Sequence, residues 1–128
     1  MSYQFIPTKV HGALDYIVAI ALILAPMLFG FQSVGGTVVA VPMVLGVLLF
    51  LYSLFTNYEW GVFKLLSMPY HLIIDIVAAL FLLLSPFLFG FVSEAPNAWL
   101  PHVVVGIAVI LVVIFSQTAP PKPVTPAM

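Results

Sequence analysis

The chain has 128 residues, of which 64% are hydrophobic and only 5% charged, against roughly 45–50% and ~25% in an ordinary soluble domain. That length suits one domain. Three basic and four acidic side chains cannot cover the surface of a soluble protein this size, and the hydrophobicity is far too high for a disordered chain. A net charge of −1 leaves no basic patch for nucleic acid. The absence of cysteine removes disulfides, thiolate metal sites, iron–sulfur clusters and thiol catalysis together. What remains is an integral membrane protein, with the lipid bilayer as its first partner.

Residues 1–9 form a short N-terminal segment ending in Lys9. Four apolar runs follow, at 10–31, 37–56, 71–91 and 98–117, each near the ~20 residues a helix needs to cross the hydrocarbon layer. A helix satisfies its own backbone in lipid, so runs this long read as helices despite their β-branched content. Short connections make hairpins of the first two spans (10–56) and the last two (71–117). The longer connection at 57–70, with Glu59, Trp60, Phe63 and Lys64, is amphipathic and expected to lie along the membrane interface. The proline-rich stretch 118–128 reads as an extended tail. The first run is not expected to be a cleaved signal peptide: no small-x-small site follows it, and the same segment recurs later in the chain.

With four spans, Lys9, Lys64 and Lys122 all fall on one side, and Glu94 is the only charge in the opposite loops. The positive-inside rule then predicts a multi-pass protein of the cell membrane with both termini cytoplasmic. Trp60 and Trp99 fall near opposite interfaces, as aromatic belts require.

The chain carries an internal duplication. His11-Gly12-Ala13-Leu14-Asp15 and the residues that follow align with His71-Leu72-Ile73-Ile74-Asp75 at an offset of 60, and ten of 21 positions are identical through Phe31 and Phe91. The same offset pairs Gly46 with Gly106 and Phe55 with Phe115, while Pro42 falls opposite His102. An even number of spans per copy puts both hairpins in the same orientation, which implies a pseudo-two-fold axis along the membrane normal. The tripeptides Ala25-Pro26-Met27 and Ser85-Pro86-Phe87, each before Leu-Phe-Gly-Phe, resemble the Ser-Pro-Trp motif of the SPW-repeat family of small bacterial membrane proteins. The opening Ile6-Pro7-Thr8-Lys9-Val10-His11-Gly12-Ala13-Leu14-Asp15-Tyr16 resembles the start of such proteins. Neither copy retains the Trp. The resemblance implies a bacterial membrane location and a two-helix repeat, and brings no activity with it.

His11/Asp15 and His71/Asp75 are the sharpest polar feature. A spacing of four residues puts each His and Asp on one helix face, about 6 Å apart along the axis, and the pseudo-symmetry brings both pairs between spans one and three. An Asp at the bilayer centre costs about 2.5–3.5 kcal/mol on insertion scales, so such groups face the bundle interior and find partners. The reading preferred here is structural pairing, each Asp accepting hydrogen bonds from its His, from Tyr hydroxyls or from the other repeat. A proton or cation path through the Asp pair is the first alternative. A two-His, two-Asp metal site and a bis-histidine haem rank below it, so no metal or cofactor is expected. Pro26 and Pro86 should kink or end their helices, with Gly30 and Gly90 as terminators; freed carbonyls forming a cation site are the less favoured reading. Gly46 and Gly106 should serve close helix packing. Phe29, Phe31, Phe89 and Phe91 read as interfacial anchors, and His102 as a solvated interfacial residue. No Gly-x-Ser-x-Gly, His-Glu-x-x-His or phosphate-cradling loop is present, and the serines, Ser116 among them, have no base nearby in sequence.

The expected architecture is therefore an all-α, four-helix membrane bundle of two tandem hairpins. The expected role is non-enzymatic, structural or accessory, with self-association or a larger membrane complex covering so small a bundle. A small proton or cation transporter using Asp15 and Asp75 is the alternative.

Overall fold

In a computed structural model, which describes residues 2–121, the chain forms four helices: α1 (Thr8–Leu28), α2 (Thr37–Leu54), α3 (Met68–Leu88) and α4 (Pro96–Ile114). No strand longer than an isolated bridge occurs among the described residues. All four helices are long and apolar enough to cross a membrane, and most of their large apolar side chains point outward, where lipid rather than water is their natural solvent. The protein is a small multi-pass membrane protein.

The helices start and stop at different places from the apolar runs. α1 begins at Thr8, two residues before its run, and α1 and α3 end at Leu28 and Leu88, three before Phe31 and Phe91. Hydropathy follows side chains, whereas the helix end is set by the backbone. Gly30 takes φ +73° and the Phe31 and Gly30 amides bond back to Pro26 O (2.9 Å) and Met27 O (3.3 Å), the Schellman arrangement that satisfies terminal carbonyls. Gly90 repeats the left-handed conformation at φ +76°. Single 3-10 turns, Gln32–Val34 and Phe91–Ser93, complete the two short connections.

Packing is tightest within each hairpin. A Cβ on Gly46 would lie 2.7 Å from Ala19 O, and one on Gly106 2.9 Å from Ala79 O, so α2 touches the α1 backbone, and α4 the α3 backbone, at equivalent points. The hairpins meet more loosely, chiefly through α2 and α3. Their interior is stacked in layers: Leu22, Val41 and Leu82 at mid-height, then Ala25, Phe31, Val38, Phe91 and Ala98 toward the outer end.

The duplication extends to the backbone outside the helices. Ile6 pairs with Ser116, its amide on Phe115 O at 2.9 Å and its carbonyl accepting from Gln117 N at 2.9 Å. Sixty residues on, Leu66 pairs with Thr56, its amide on Phe55 O at 2.7 Å and its carbonyl accepting from Asn57 N at 2.7 Å. Each hairpin is thus entered across the end of the other, and the bundle closes on itself at this end. Of the tail at 118–128, residues 122–128 lie outside the described part, Lys122 included.

Candidate functional site

The helical spacing of four stacks Asp15 on His11 and Asp75 on His71, and α1 and α3 turn these faces toward each other. All four side chains are buried. His11 Nε2 lies 3.2 Å from Asp15 Oδ1 and 2.9 Å from Asp75 Oδ2. His71 Nε2 lies 3.0 Å from Asp15 Oδ2 and 3.2 Å from Asp75 Oδ2. Each imidazole therefore faces its own carboxylate and that of the other repeat. The result is a ring of alternating His and Asp about the pseudo-two-fold axis.

The outer face of each imidazole is held by a hydroxyl that sequence reasoning missed. His11 Nδ1 lies 2.6 Å from Ser116 Oγ just beyond α4, and His71 Nδ1 lies 2.7 Å from Thr56 Oγ1 just beyond α2. Thr56 Oγ1 donates its one proton to Tyr52 O (2.7 Å) and Ser116 Oγ donates to Val112 O (2.6 Å). Both hydroxyl oxygens must then accept from the rings, which puts a proton on each Nδ1. The signal was present in the sequence: Thr56 and Ser116 are related by the same offset of 60 as the histidines. Each clamps the histidine of the other repeat, so the end of every helix reaches the ring.

Tyrosines complete the carboxylates. Tyr52 Oη donates to Asp75 Oδ1 and Tyr58 Oη donates to Asp15 Oδ2 at 2.8 Å. Tyr58 comes from the long connection and is 1% exposed. Burial, with the Asp15 carboxylate beside it, pushes its phenol well above the usual range, so it is a fixed donor. The connection is anchored over α1 by Trp60 Nε1 on Lys9 O (2.8 Å), Tyr16 Oη on Trp60 O (2.8 Å) and Thr8 Oγ1 on Glu59 Oε1 (2.7 Å). Gly12 makes room for it, since a Cβ there would sit 2.7 Å from Trp60 Cδ1.

At the other end of the bundle two expectations are corrected. His102 is buried rather than solvated, packed between Phe31 and Phe91 with ring centroids at 5.7 and 4.8 Å. Phe31 and Phe91 are likewise interior, while Phe29 and Phe89 stay exposed. The reason lies in Pro42. Lacking an amide proton, it leaves Val38 O without its helical donor, and His102 Nε2 donates to that carbonyl at 3.2 Å. Pro86 raises the same problem at Leu82 O, and Ser85 Oγ solves it from one turn below at 2.7 Å. Pro26 and Pro86 each sit two residues before their helix ends.

The chemistry available to the ring follows from charge. Both carboxylates ionised beside two neutral imidazoles would leave two buried negative charges, which is prohibitive in a membrane. Two protons on the Nε2 atoms or one divalent cation at the centre would each restore neutrality, and the four groups offer ligand atoms all within 4.8 Å of one another. A cavity of about 250 Å³ between the hairpins reaches His11, Asp15, Tyr52 and Asp75 but is otherwise lined by apolar residues such as Leu45, Leu49 and Val105.

No curated protein and no solved structure matches the chain. A family model, the SPW repeat domain, matches residues 9–116. That range takes in both hairpins, both prolines with their glycine stops and all four members of the His/Asp ring, and the chain belongs to the SPW repeat family.

Proposed function

We propose that this is a non-enzymatic membrane protein, structural or accessory to a larger assembly, in which the His/Asp ring fastens two hairpins into one bundle. The observation that carries this reading is the cross-bridging itself: each histidine faces the carboxylates of both repeats. Lipid supplies no hydrophobic drive for helix association, so hydrogen bonds and packing must hold the hairpins together. Catalysis finds little support. Ser116 touches a histidine, but it is fully buried and its proton is committed to Val112 O.

An ion path is the second reading, favoured by the buried carboxylates alone. Against it, residues 17–25, 43–51, 76–84 and 103–111 contain no polar side chain, and the Leu22, Val41 and Leu82 layer lies between the ring and the far end. Lys9 and Lys64 share the ring's end of the bundle while Glu94 lies at the other, which supports placing the ring and both termini on the cytoplasmic side of the cell membrane. Purified protein in vesicles should pass protons and monovalent cations no faster than empty vesicles. Flux that disappears in the Asp15→Asn, Asp75→Asn variant would replace the structural reading with the transporter.

A further inference from the structure

We propose that His11, Asp15, His71 and Asp75 bind a divalent transition-metal ion, with zinc the best match, in a closed tetrahedral site at the centre of the ring. The inference deepens the fastening role and rests on it. Spacing along the chain favoured simple pairing; three features of the geometry point to a metal.

The first is the orientation of the rings. With Nδ1 protons committed to Ser116 and Thr56, both Nε2 atoms point inward at carboxylates, and a metal that displaces the Nε2 proton His11 shares with Asp75 would find both rings in the tautomer it requires. Histidines that ligate metals characteristically donate their other ring N–H to such a partner. The second is His71 Nε2. It is completely buried and has carboxylate oxygens at 3.0 and 3.2 Å, yet neither lies in line for a hydrogen bond, and the atom has no other partner among the described residues. A proton there would be poorly used, whereas a cation at the centre of the four groups needs no such alignment. The third is scale. Each Nε2 lies 2.9 to 3.2 Å from a carboxylate oxygen of both repeats, and one ligand atom from each of the four residues lies within 4.8 Å of the others, so a modest contraction of the ring brings all four to the ~2.0 Å that zinc makes to nitrogen and oxygen.

The donor set also selects the ion. Two imidazoles and two carboxylates suit zinc and its first-row neighbours better than calcium or magnesium, which prefer more oxygen ligands. Two negative carboxylates and one divalent cation make a neutral unit, as burial in lipid demands. Tyr52 and Tyr58 hold the carboxylates by their remaining lone pairs, the outer support that ligating carboxylates usually have. With every position filled by protein, the site is structural rather than catalytic.

The test is metal content and cobalt spectroscopy on protein purified in mild detergent without chelator. Zinc should co-purify in near-equal proportion to the chain, and cobalt exchanged into the site should show the intense visible bands of a tetrahedral centre. Both should vanish in Asp15→Asn, Asp75→Asn. In case that variant does not fold, Thr56→Val and Ser116→Ala keep all four ligands and should weaken metal affinity roughly 10–100-fold with a shifted cobalt spectrum. A folded wild type that takes up neither added zinc nor cobalt overturns the metal site, and so does cobalt bound equally by the variant lacking both carboxylates. Loss of bundle stability in that variant without any metal uptake would leave the fastening role intact and show that protons alone serve the ring.

Discussion

Pro42 and His102 occupy the same place in the two repeats, and each accounts for the other: one removes a donor from Val38 O and the other restores it. Read singly along the chain, a proline and a histidine beside Pro101 gave no hint of this, because the partner carbonyl lies in a different hairpin. The offset that disclosed the repeat did set the two residues opposite each other. His102→Leu should cost about 1–3 kcal/mol, the cost of leaving a buried carbonyl unpaired. Much of that loss should disappear when the change is made in Pro42→Ala, whose restored amide serves Val38 O, and thermal unfolding of the four proteins in detergent measures the coupling. Additive effects would show that the two residues act independently. Ser85 follows the same logic within one helix, since Ser85→Ala strips Leu82 O of the side-chain donor it has at 2.7 Å. A loss of about 1 kcal/mol is expected. The first repeat has Ala25 at this place and offers no such hydroxyl beside Pro26.

At the scale of helices, glycine does two different jobs that the sequence marks with one letter. Gly46 and Gly106 let helices touch backbone to backbone, and a methyl group there meets a carbonyl at 2.7 or 2.9 Å. Gly30 and Gly90 have open space around the missing Cβ and are required for their positive φ. Alanine at Gly46 should therefore force α1 and α2 apart and cost about 1–3 kcal/mol. Alanine at Gly30 should cost roughly 1–2 kcal/mol through backbone strain alone, leaving helix packing unchanged. Denaturation midpoints combined with cross-linking between α1 and α2 separate the two mechanisms. If Gly46→Ala leaves both unchanged, the close approach is not what fixes the hairpin. Spans and their count were legible because ~20 apolar residues leave few alternatives in lipid. Helix ends were less so, since capping depends on φ and on carbonyl partners that hydropathy does not register.

For the whole molecule, duplication is the organising fact. Ten identities at a fixed offset point to two related hairpins, and the spacing of His11 with Asp15 and of His71 with Asp75 puts each pair on one helix face. What spacing could not supply was the cross-wiring, in which Thr56 and Ser116 each hold the other repeat's histidine and the connection lowers Tyr58 onto Asp15. Those contacts span 15 to 105 residues of sequence and depend on how the ends of the bundle close. Topology is open to a direct check, because the chain has no cysteine of its own. Single cysteines at Ser2 and at Gln32 should react with impermeant thiol reagents from opposite faces, Ser2 from the cytoplasmic one; labelling from the same face would contradict the four-span arrangement. The measurement that bears most directly on the fastening of the two hairpins is thermal unfolding, in mild detergent, of wild type against Asp15→Asn, Asp75→Asn. Removing one side of a buried charge pair typically costs about 3–5 kcal/mol, and a loss of that order, with normal membrane insertion, is expected. A variant as stable as the wild type, or more stable, would mean that the ring does not hold the bundle together.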